Sequence, residues 1–79
     1  MKTRFNEIGN GTLFYLPHEY ETGKKILWIK VSSKTYGIPP GKTFTTNKRT
    51  GINFVGYERS IGFHRQLVYV EREKEDVVV

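Results

Sequence analysis

Apolar and polar residues alternate with a period of two along several short runs of this chain, which is the pattern of half-buried β-strands. The clearest run spans residues 24–32. One side of this strand would carry Leu27, Ile29 and Val31, and the other would carry Ile26, Trp28 and Lys30. We therefore expect the first side to face the core and the second to face outward or line a groove.

Gly, Pro and short polar segments divide the chain into further β-rich runs. Strands are predicted within residues 12–16, 24–32, 35–37, 42–46, 52–57 and 66–71. Two prolines at 39–40 must interrupt any ladder, because neither can donate a backbone hydrogen bond. Residues 47–51 form a predicted hairpin loop in which Gly51 can adopt a positive φ. Residues 17–23 are predicted to be a polar loop.

These runs predict an all-β fold, either a small antiparallel barrel or a bent sheet of five to six short strands, SH3-like or OB-like, with helix confined to a turn or two. A chain of 79 residues forms one domain. We place that domain at residues 1–72 and expect 73–79 to be a charged, flexible tail. The predicted core consists of Leu27, Ile29, Val31, Phe54, Val68 and Val70.

Positive charge is concentrated in the middle of the chain. Residues 22–66 contain nine basic residues and one acid, a net charge of +8, while the whole chain carries +5. Aromatic residues are interleaved with these cations. The combination suits an anionic partner, because cations follow phosphates while flat rings stack on bases.

The sequence therefore predicts a binding module that uses a basic, aromatic face, with nucleic acid as the expected partner. The alternative is a small factor that binds a host protein on an acidic surface and modulates its activity, since aromatic and Arg side chains also form protein hot spots. Trp28 and Lys30 lie two apart on a strand and should share a face. The predicted binding residues are Trp28, Lys30, Tyr36, Lys42, Lys48, Arg49, Tyr57, Arg59 and Arg65.

No motif predicts an enzyme, a cofactor or a metal site. The absence of Cys excludes disulfides and thiolate zinc sites. Residues 41–43 resemble the end of a phosphate-binding loop, but Tyr36 occupies the position that requires Gly. Ser60, His64 and Glu58 are close in sequence, yet catalytic sets are defined by geometry, and one short loop rarely provides it. His18, with Glu19 and Glu21 nearby, is more typical of a loop than of a metal site.

Compartment and assembly are predicted only in outline. No apolar run approaches the roughly 18–20 residues of a membrane span, and the N-terminus has no apolar segment typical of a signal peptide. We therefore expect a cytoplasmic protein that makes no membrane contact. It is expected to be a monomer or a homodimer.

The opening of the chain resembles that of small phage-encoded β-domain proteins, most of them uncharacterised. Residues 5–14 follow the pattern Phe-x-x-Ile-x-x-Gly-x-x-Phe, and a later strand carries Trp-x-Lys at 28–30. The resemblance covers about the first 30 residues, and the loops at 38–41 and 47–51 depart from it. It implies a compact β domain and a viral or mobile-element origin, with a bacterial host cytoplasm as the location if the protein is phage-encoded, but it assigns no functional residue.

Overall fold

The computed structural model describes residues 2–71, so the predicted tail at 73–79 lies outside the described residues. The strands are β1 (Lys2–Arg4), β2 (Leu13–Tyr15), β3 (Trp28–Lys30), β4 (Thr35–Ile38), β5 (Thr45–Thr46), β6 (Asn53–Ser60) and β7 (Leu67–Val70). A 3₁₀ turn spans Phe5–Glu7, and one helix, α1, spans Pro17–Glu21. The all-β prediction is confirmed, with helix limited to these short pieces.

The strands form one antiparallel sheet in the order β1-β7-β2-β3-β4-β6-β5. The sheet is open, with β1 and β5 as its outer strands. Of the two predicted forms, a barrel or a bent sheet, the barrel is therefore wrong, and the sheet has seven strands where five to six were predicted. β1 is the main reason for the larger count. Its Lys2, Thr3 and Arg4 have no apolar alternation, and they become a strand because they pair with the distant β7.

The 17–23 segment, which was expected to be a loop, contains α1. Pro17 suits the first turn of a helix, because the missing N–H of proline would have no intrahelical acceptor there. Gly23, with a φ of +90°, ends the helix after little more than one turn, and the Lys24 N–H donates back to the Glu19 carbonyl at 2.8 Å. Within residues 2–71, no helix is both long enough and apolar enough to cross a bilayer.

The sheet has buried side chains on both faces. On one face, the Phe14 face, Phe5, Phe14, Trp28 and Val68 pack together. On the other, the Phe54 face, Ile29, Val31 and Phe54 pack together. β3 is the middle strand of the sheet, and all three of its residues are buried. This double burial replaces the expected one-sided core.

The core prediction is correct for Ile29, Val31, Phe54 and Val68, which are all buried. Leu27 and Val70 are only half-buried. Leu27 precedes β3 and has no strand partner, and Val70 is near the end of β7, so neither lies at the centre of a cluster.

Candidate binding surfaces

Trp28 is an interior residue, contrary to the expectation that it lies on an outward face. Its side chain is 7% exposed and packs with Phe5, Phe14 and Val68. The indole Nε1–H donates a 2.9 Å hydrogen bond to Glu19 Oε1 from α1. The strand has no solvent-facing side at this point, so the ring is not available as an open stacking platform.

Lys30 is also removed from the surface, which corrects its placement beside an exposed Trp28. Its side chain is 4% exposed, and its ammonium donates to the carbonyls of Phe5 at 2.9 Å and Ile8 at 2.7 Å. The same ammonium lies 4.7 Å from the centre of the Phe5 ring. Burial lowers the pKa of Lys30. Lys30 therefore fastens the 3₁₀ turn to the sheet.

Tyr36 and Arg59 both pack against the Trp28 ring. Tyr36 is half-buried and packs edge-to-face against Trp28, with ring centroids 5.0 Å apart. The Arg59 guanidinium carbon lies 5.2 Å from the Trp28 ring centre. Burial raises the pKa of Tyr36, an effect that the Arg59 charge opposes and the Glu19 charge reinforces. Of these three predicted residues, only Arg59 is exposed.

The long strand β6 has a bulge that displays an aromatic side chain. Between the Tyr36–Arg59 pair and the Ile38–Val55 pair, the register shifts, and Gly56 in this interval has a φ of +82°. Tyr57 follows the glycine, and its side chain is 86% exposed. The bulge thus lifts an unpacked ring out of the sheet two residues from the Arg59 cation.

Apolar side chains extend this exposed region across three strands. Ile38 pairs with Val55, so their side chains share a face of the sheet. Thr45 pairs with Phe54, and Phe44 is the residue immediately before Thr45 at the start of β5. Ile38 is 42% exposed and Phe44 is 52% exposed. We call this region the β6 surface; it consists of Ile38, Phe44, Val55, Tyr57 and Arg59.

Lys48 and Arg49 lie elsewhere, at an open cleft of about 660 Å³. The cleft is lined by Asn10, Ser32, Ser33, Asn47, Lys48, Arg49, Thr50 and Glu58. Glu58 accepts a 2.6 Å hydrogen bond from the hydroxyl of Thr35. Thr35 is next to Tyr36 on β4, so its side chain projects from the face opposite Tyr36 and Trp28. The cleft therefore lies on the Phe54 face, behind the β6 surface.

Lys42 and Arg65 are exposed loop residues that do not line the cleft. Lys42 precedes β5, while Arg65 lies in the turn before β7, where its carbonyl accepts a 3.1 Å hydrogen bond from Arg4 Nη1. The nine predicted residues thus do not form one face. Three are interior or half-buried, two lie on the β6 surface, two line the cleft, and two are on other loops.

The acids near α1 are engaged with aromatic and basic neighbours. Glu21 accepts a 2.8 Å hydrogen bond from the Tyr69 hydroxyl and lies 3.6 Å from Lys2 Nζ. The Tyr69 hydrogen bond is the main reason that the pKa of Glu21 is lowered. Within the described part of the chain, no three His, Cys, Asp or Glu side chains are grouped as metal ligands would be.

The structure defines a small all-β protein with two separate exposed regions on an open antiparallel sheet. Comparison with protein families, with curated proteins and with solved structures gives no match for this chain. The role of each region must therefore be argued from its own chemistry.

Sequence reasoning did not predict that Phe44, Ile38 and Val55 belong to an exposed surface. It also did not predict that the Asn47 side chain holds the cleft in shape. Ile38 and Val55 meet through the pairing of β4 with β6, and Phe44 precedes β5, which pairs with β6; local patterns do not specify these pairings. A signal for Asn47 was present, because Asn before a turn commonly accepts hydrogen bonds from the backbone two and three residues later.

Proposed function

We propose that this protein is a non-enzymatic module that binds single-stranded nucleic acid on the β6 surface. The observation that carries the proposal is the Tyr57 ring, which is 86% exposed on a bulge two residues from Arg59. A folded domain gains no packing energy from a ring held in this way. Such a ring is available to stack on a base while the neighbouring guanidinium contacts a phosphate.

Charge on the described part of the chain supports the same proposal. Among residues 2–71, one salt bridge forms, and it joins Lys2 to Glu21. The exposed Lys42 and Arg59 therefore have no carboxylate partner within that range. Cations that are not neutralised internally are available to displace the counterions of a phosphate backbone.

Apolar residues beside Tyr57 fit single strands better than a duplex. Phe44 offers a second exposed ring, and Ile38 extends the apolar area across the sheet. Bases that are already unpaired can lie flat on such side chains, whereas the bases of a duplex present only their edges in the grooves.

The test is a Tyr57→Ala variant, with Phe63→Ala as the matched control. Both rings are exposed, but Phe63 lies in the turn after β6 and not on the β6 surface. Loss of one stacked base should weaken binding of a fluorescently labelled single-stranded oligonucleotide about 5- to 150-fold in Tyr57→Ala. The melting temperature should stay near that of the wild type, because Tyr57 makes little packing contact.

Equal binding by Tyr57→Ala and wild-type protein would refute the stacking role. Equal losses in the Phe63 and Tyr57 variants would show that the effect is not specific to the β6 surface. Trp28→Ala provides a contrast: it should lower stability by about 3–5 kcal/mol, as expected for a large interior side chain. Its binding should therefore be measured only at temperatures where it remains folded.

The salt dependence of binding tests the electrostatic part of the proposal. The logarithm of the association constant for a single strand should fall by about 0.7 per log unit of salt for each phosphate contacted. Arg59→Gln should reduce that slope by roughly one contact. A slope near zero in the wild-type protein would contradict nucleic-acid binding and would favour the second candidate function.

The second candidate is binding to a host protein, and the apolar row of Ile38, Val55 and Phe44 favours it. This row adjoins β5, whose outer edge has no strand partner within residues 2–71, so a partner strand can add there. In this case the partner would present acidic and apolar groups in the cytoplasm of a bacterial host, as expected if the protein is of phage origin. Ile38→Asp should abolish capture of such a partner, and nuclease treatment should not.

A further inference from the structure

The cleft on the Phe54 face is held in shape by a network of hydrogen bonds centred on Asn47 and Glu58. The Asn47 side-chain oxygen accepts the backbone N–H groups of Arg49 at 2.9 Å and Thr50 at 3.1 Å. The Asn47 side-chain amide donates to both oxygens of Glu58, at 3.1 and 3.2 Å. The Asn47 side chain thus stabilises the turn of its own loop and also attaches that loop to β6.

Further bonds attach this loop to the neighbouring strands. The Thr50 hydroxyl donates 2.8 Å to the Val31 carbonyl, and Gly51 closes the turn with a φ of +77°. The Thr35 hydroxyl donates 2.6 Å to Glu58 and also hydrogen-bonds the hydroxyl of Ser32. The loop that carries Lys48 and Arg49 is therefore a fixed wall of the cleft.

The charged groups of Lys48 and Arg49 make no internal polar contacts in the described part of the chain. Within residues 2–71, neither side chain takes part in a salt bridge or hydrogen bond, and both are exposed. Asn10 and Ser33, which are both exposed, also line the cleft, and their side chains carry an amide and a hydroxyl. The cleft thus combines two cations with neutral donors, which is the donor set that phosphate groups require.

Glu58 is the one acid in this lining, and its carboxylate is already engaged. It accepts hydrogen bonds from Asn47 and from Thr35, so its oxygens are turned toward the loop and β4. Two cations against one satisfied carboxylate leave the cleft with a net positive charge. Its volume of about 660 Å³ is within the range of small-molecule sites, roughly 300–1,000 Å³.

We infer that this cleft binds a phosphate monoester, with Lys48 and Arg49 as the charged ligands of the phosphate. The phosphate belongs either to a free nucleoside monophosphate or to the terminal phosphate of a nucleic-acid strand. The site lies on the opposite face of the sheet from the β6 surface. It therefore does not depend on the function proposed for that surface.

The test uses the full chain, ¹⁵N-labelled, and titrates it with AMP, with adenosine and with inorganic phosphate. AMP should cause saturable chemical-shift changes in the backbone amides of Ser33, Arg49 and Thr50, and adenosine should not. A double variant, Lys48→Gln with Arg49→Gln, should weaken AMP binding about tenfold or more, because it removes both charged donors. The matched control is Lys24→Gln with Lys25→Gln, which removes the same charge outside the cleft and should retain binding.

A second pair of titrations identifies the source of the phosphate. A 5′-phosphorylated oligonucleotide and its 5′-hydroxyl counterpart are compared with AMP in the Tyr57→Ala background, which removes the stacking residue of the β6 surface. If the phosphorylated strand binds more tightly than both AMP and the 5′-hydroxyl strand, the cleft is assigned to strand ends. If the phosphorylated strand binds no more tightly than AMP, the cleft is assigned to the free nucleotide.

Three results would overturn the inference. They are the absence of saturable shifts with AMP and with phosphate, equal responses to AMP and adenosine, and equal losses in the cleft variant and the Lys24 and Lys25 control. Failure of oligonucleotide binding in Tyr57→Ala with AMP binding intact would bear on the β6 surface alone. The same set of protein samples therefore tests strand binding on the β6 surface and phosphate binding in the cleft independently.

Discussion

Replacement of Lys30 by Met tests whether a buried ammonium stabilises this fold. Met keeps an unbranched side chain of similar length and removes only the charged donor. The donor is 4% exposed and reaches the carbonyls of Phe5 and Ile8 at 2.9 and 2.7 Å. No carboxylate in the described part of the chain lies within salt-bridge distance of it.

The expected loss of folding stability is the difference between two large terms, the hydrogen bonds that the ammonium donates and the cost of burying its charge. Two hydrogen bonds from a charged donor contribute about 3–6 kcal/mol together. The lowered pKa of Lys30 shows that burial still penalises its charge, and the Met variant recovers that penalty. After substitution, the Phe5 carbonyl keeps a weak bond from the Ile8 N–H at 3.4 Å.

The Ile8 carbonyl, by contrast, has no other donor within residues 2–71. Unlike the partner in a buried ion pair, a backbone carbonyl cannot be removed along with the lysine. We therefore expect a net loss of about 1–3 kcal/mol, set largely by this unsatisfied acceptor. For a domain of this size, that loss lowers the melting temperature by about 5–20 °C.

Thermal melts followed by circular dichroism measure the effect, and Lys34→Met in the exposed β3–β4 turn is the control. Lys34→Met should change stability by no more than about 0.5 kcal/mol. Because burial lowers the pKa of Lys30, the unfolded chain binds the proton more tightly than the folded chain. Wild-type stability attributable to Lys30 should then rise with pH from the lowered pKa up to about 10.4.

The Met variant lacks this pH-dependent rise in stability, so the difference in unfolding free energy between the wild type and the variant should grow with pH. Tyr36 and Tyr69, whose pKa values are raised in the folded protein, are present in both proteins and cancel in the difference. A Met variant that melts at or above the wild-type temperature would refute the reasoning. It would show that the cost of burying the ammonium exceeds the value of its two hydrogen bonds.

Three further substitutions probe packing and acid stability. Gly37→Ala should cost about 1–3 kcal/mol, because the new Cβ would lie 3.0 Å from a ring carbon of Phe54. Gly41→Ala, where no atom lies within 4 Å, should change the melting temperature little. The pKa of Glu21 is lowered mainly by its Tyr69 hydrogen bond, so its stabilising effect is present above about pH 4.3 and is lost as the pH falls. Glu21→Gln should flatten the acid limb of melting temperature against pH, and an unchanged limb would contradict this role.

Local sequence signals predicted six of the seven strands, all except β1, because those signals have local causes. The turn at 47–51 is closed by Gly51 with a positive φ, as its sequence indicated. β2, β3, β5 and β7 lie within their predicted runs, whereas β4 extends one residue and β6 extends three residues beyond their runs. What failed was the arrangement between distant segments: β1 exists only because Lys2–Arg4 pairs with β7, and no nearby pattern encodes that partner.

The alternation on β3 was read correctly, but the conclusion drawn from it was not. Ile29 does lie on the face opposite Trp28 and Lys30. A period of two shows which side chains share a face, but not whether that face meets solvent. The central position of β3 and the 3₁₀ turn over the Phe14 face bury both sides.

Charge counting has the same limit, since it gives the sign of a protein's surface without the position of its charges. Lys30 contributes to the +8 of the central segment, yet its charge is used by two backbone carbonyls. Arg59 contributes one unit and remains exposed while it covers Trp28. Lys48 and Arg49 project from a loop whose own hydrogen bonds leave their charges unused. Arg59 on the bulged strand β6 and Lys48 and Arg49 on the loop at 47–51 are exposed cations with no salt bridge within residues 2–71, and they are the charges on which the two binding proposals rest.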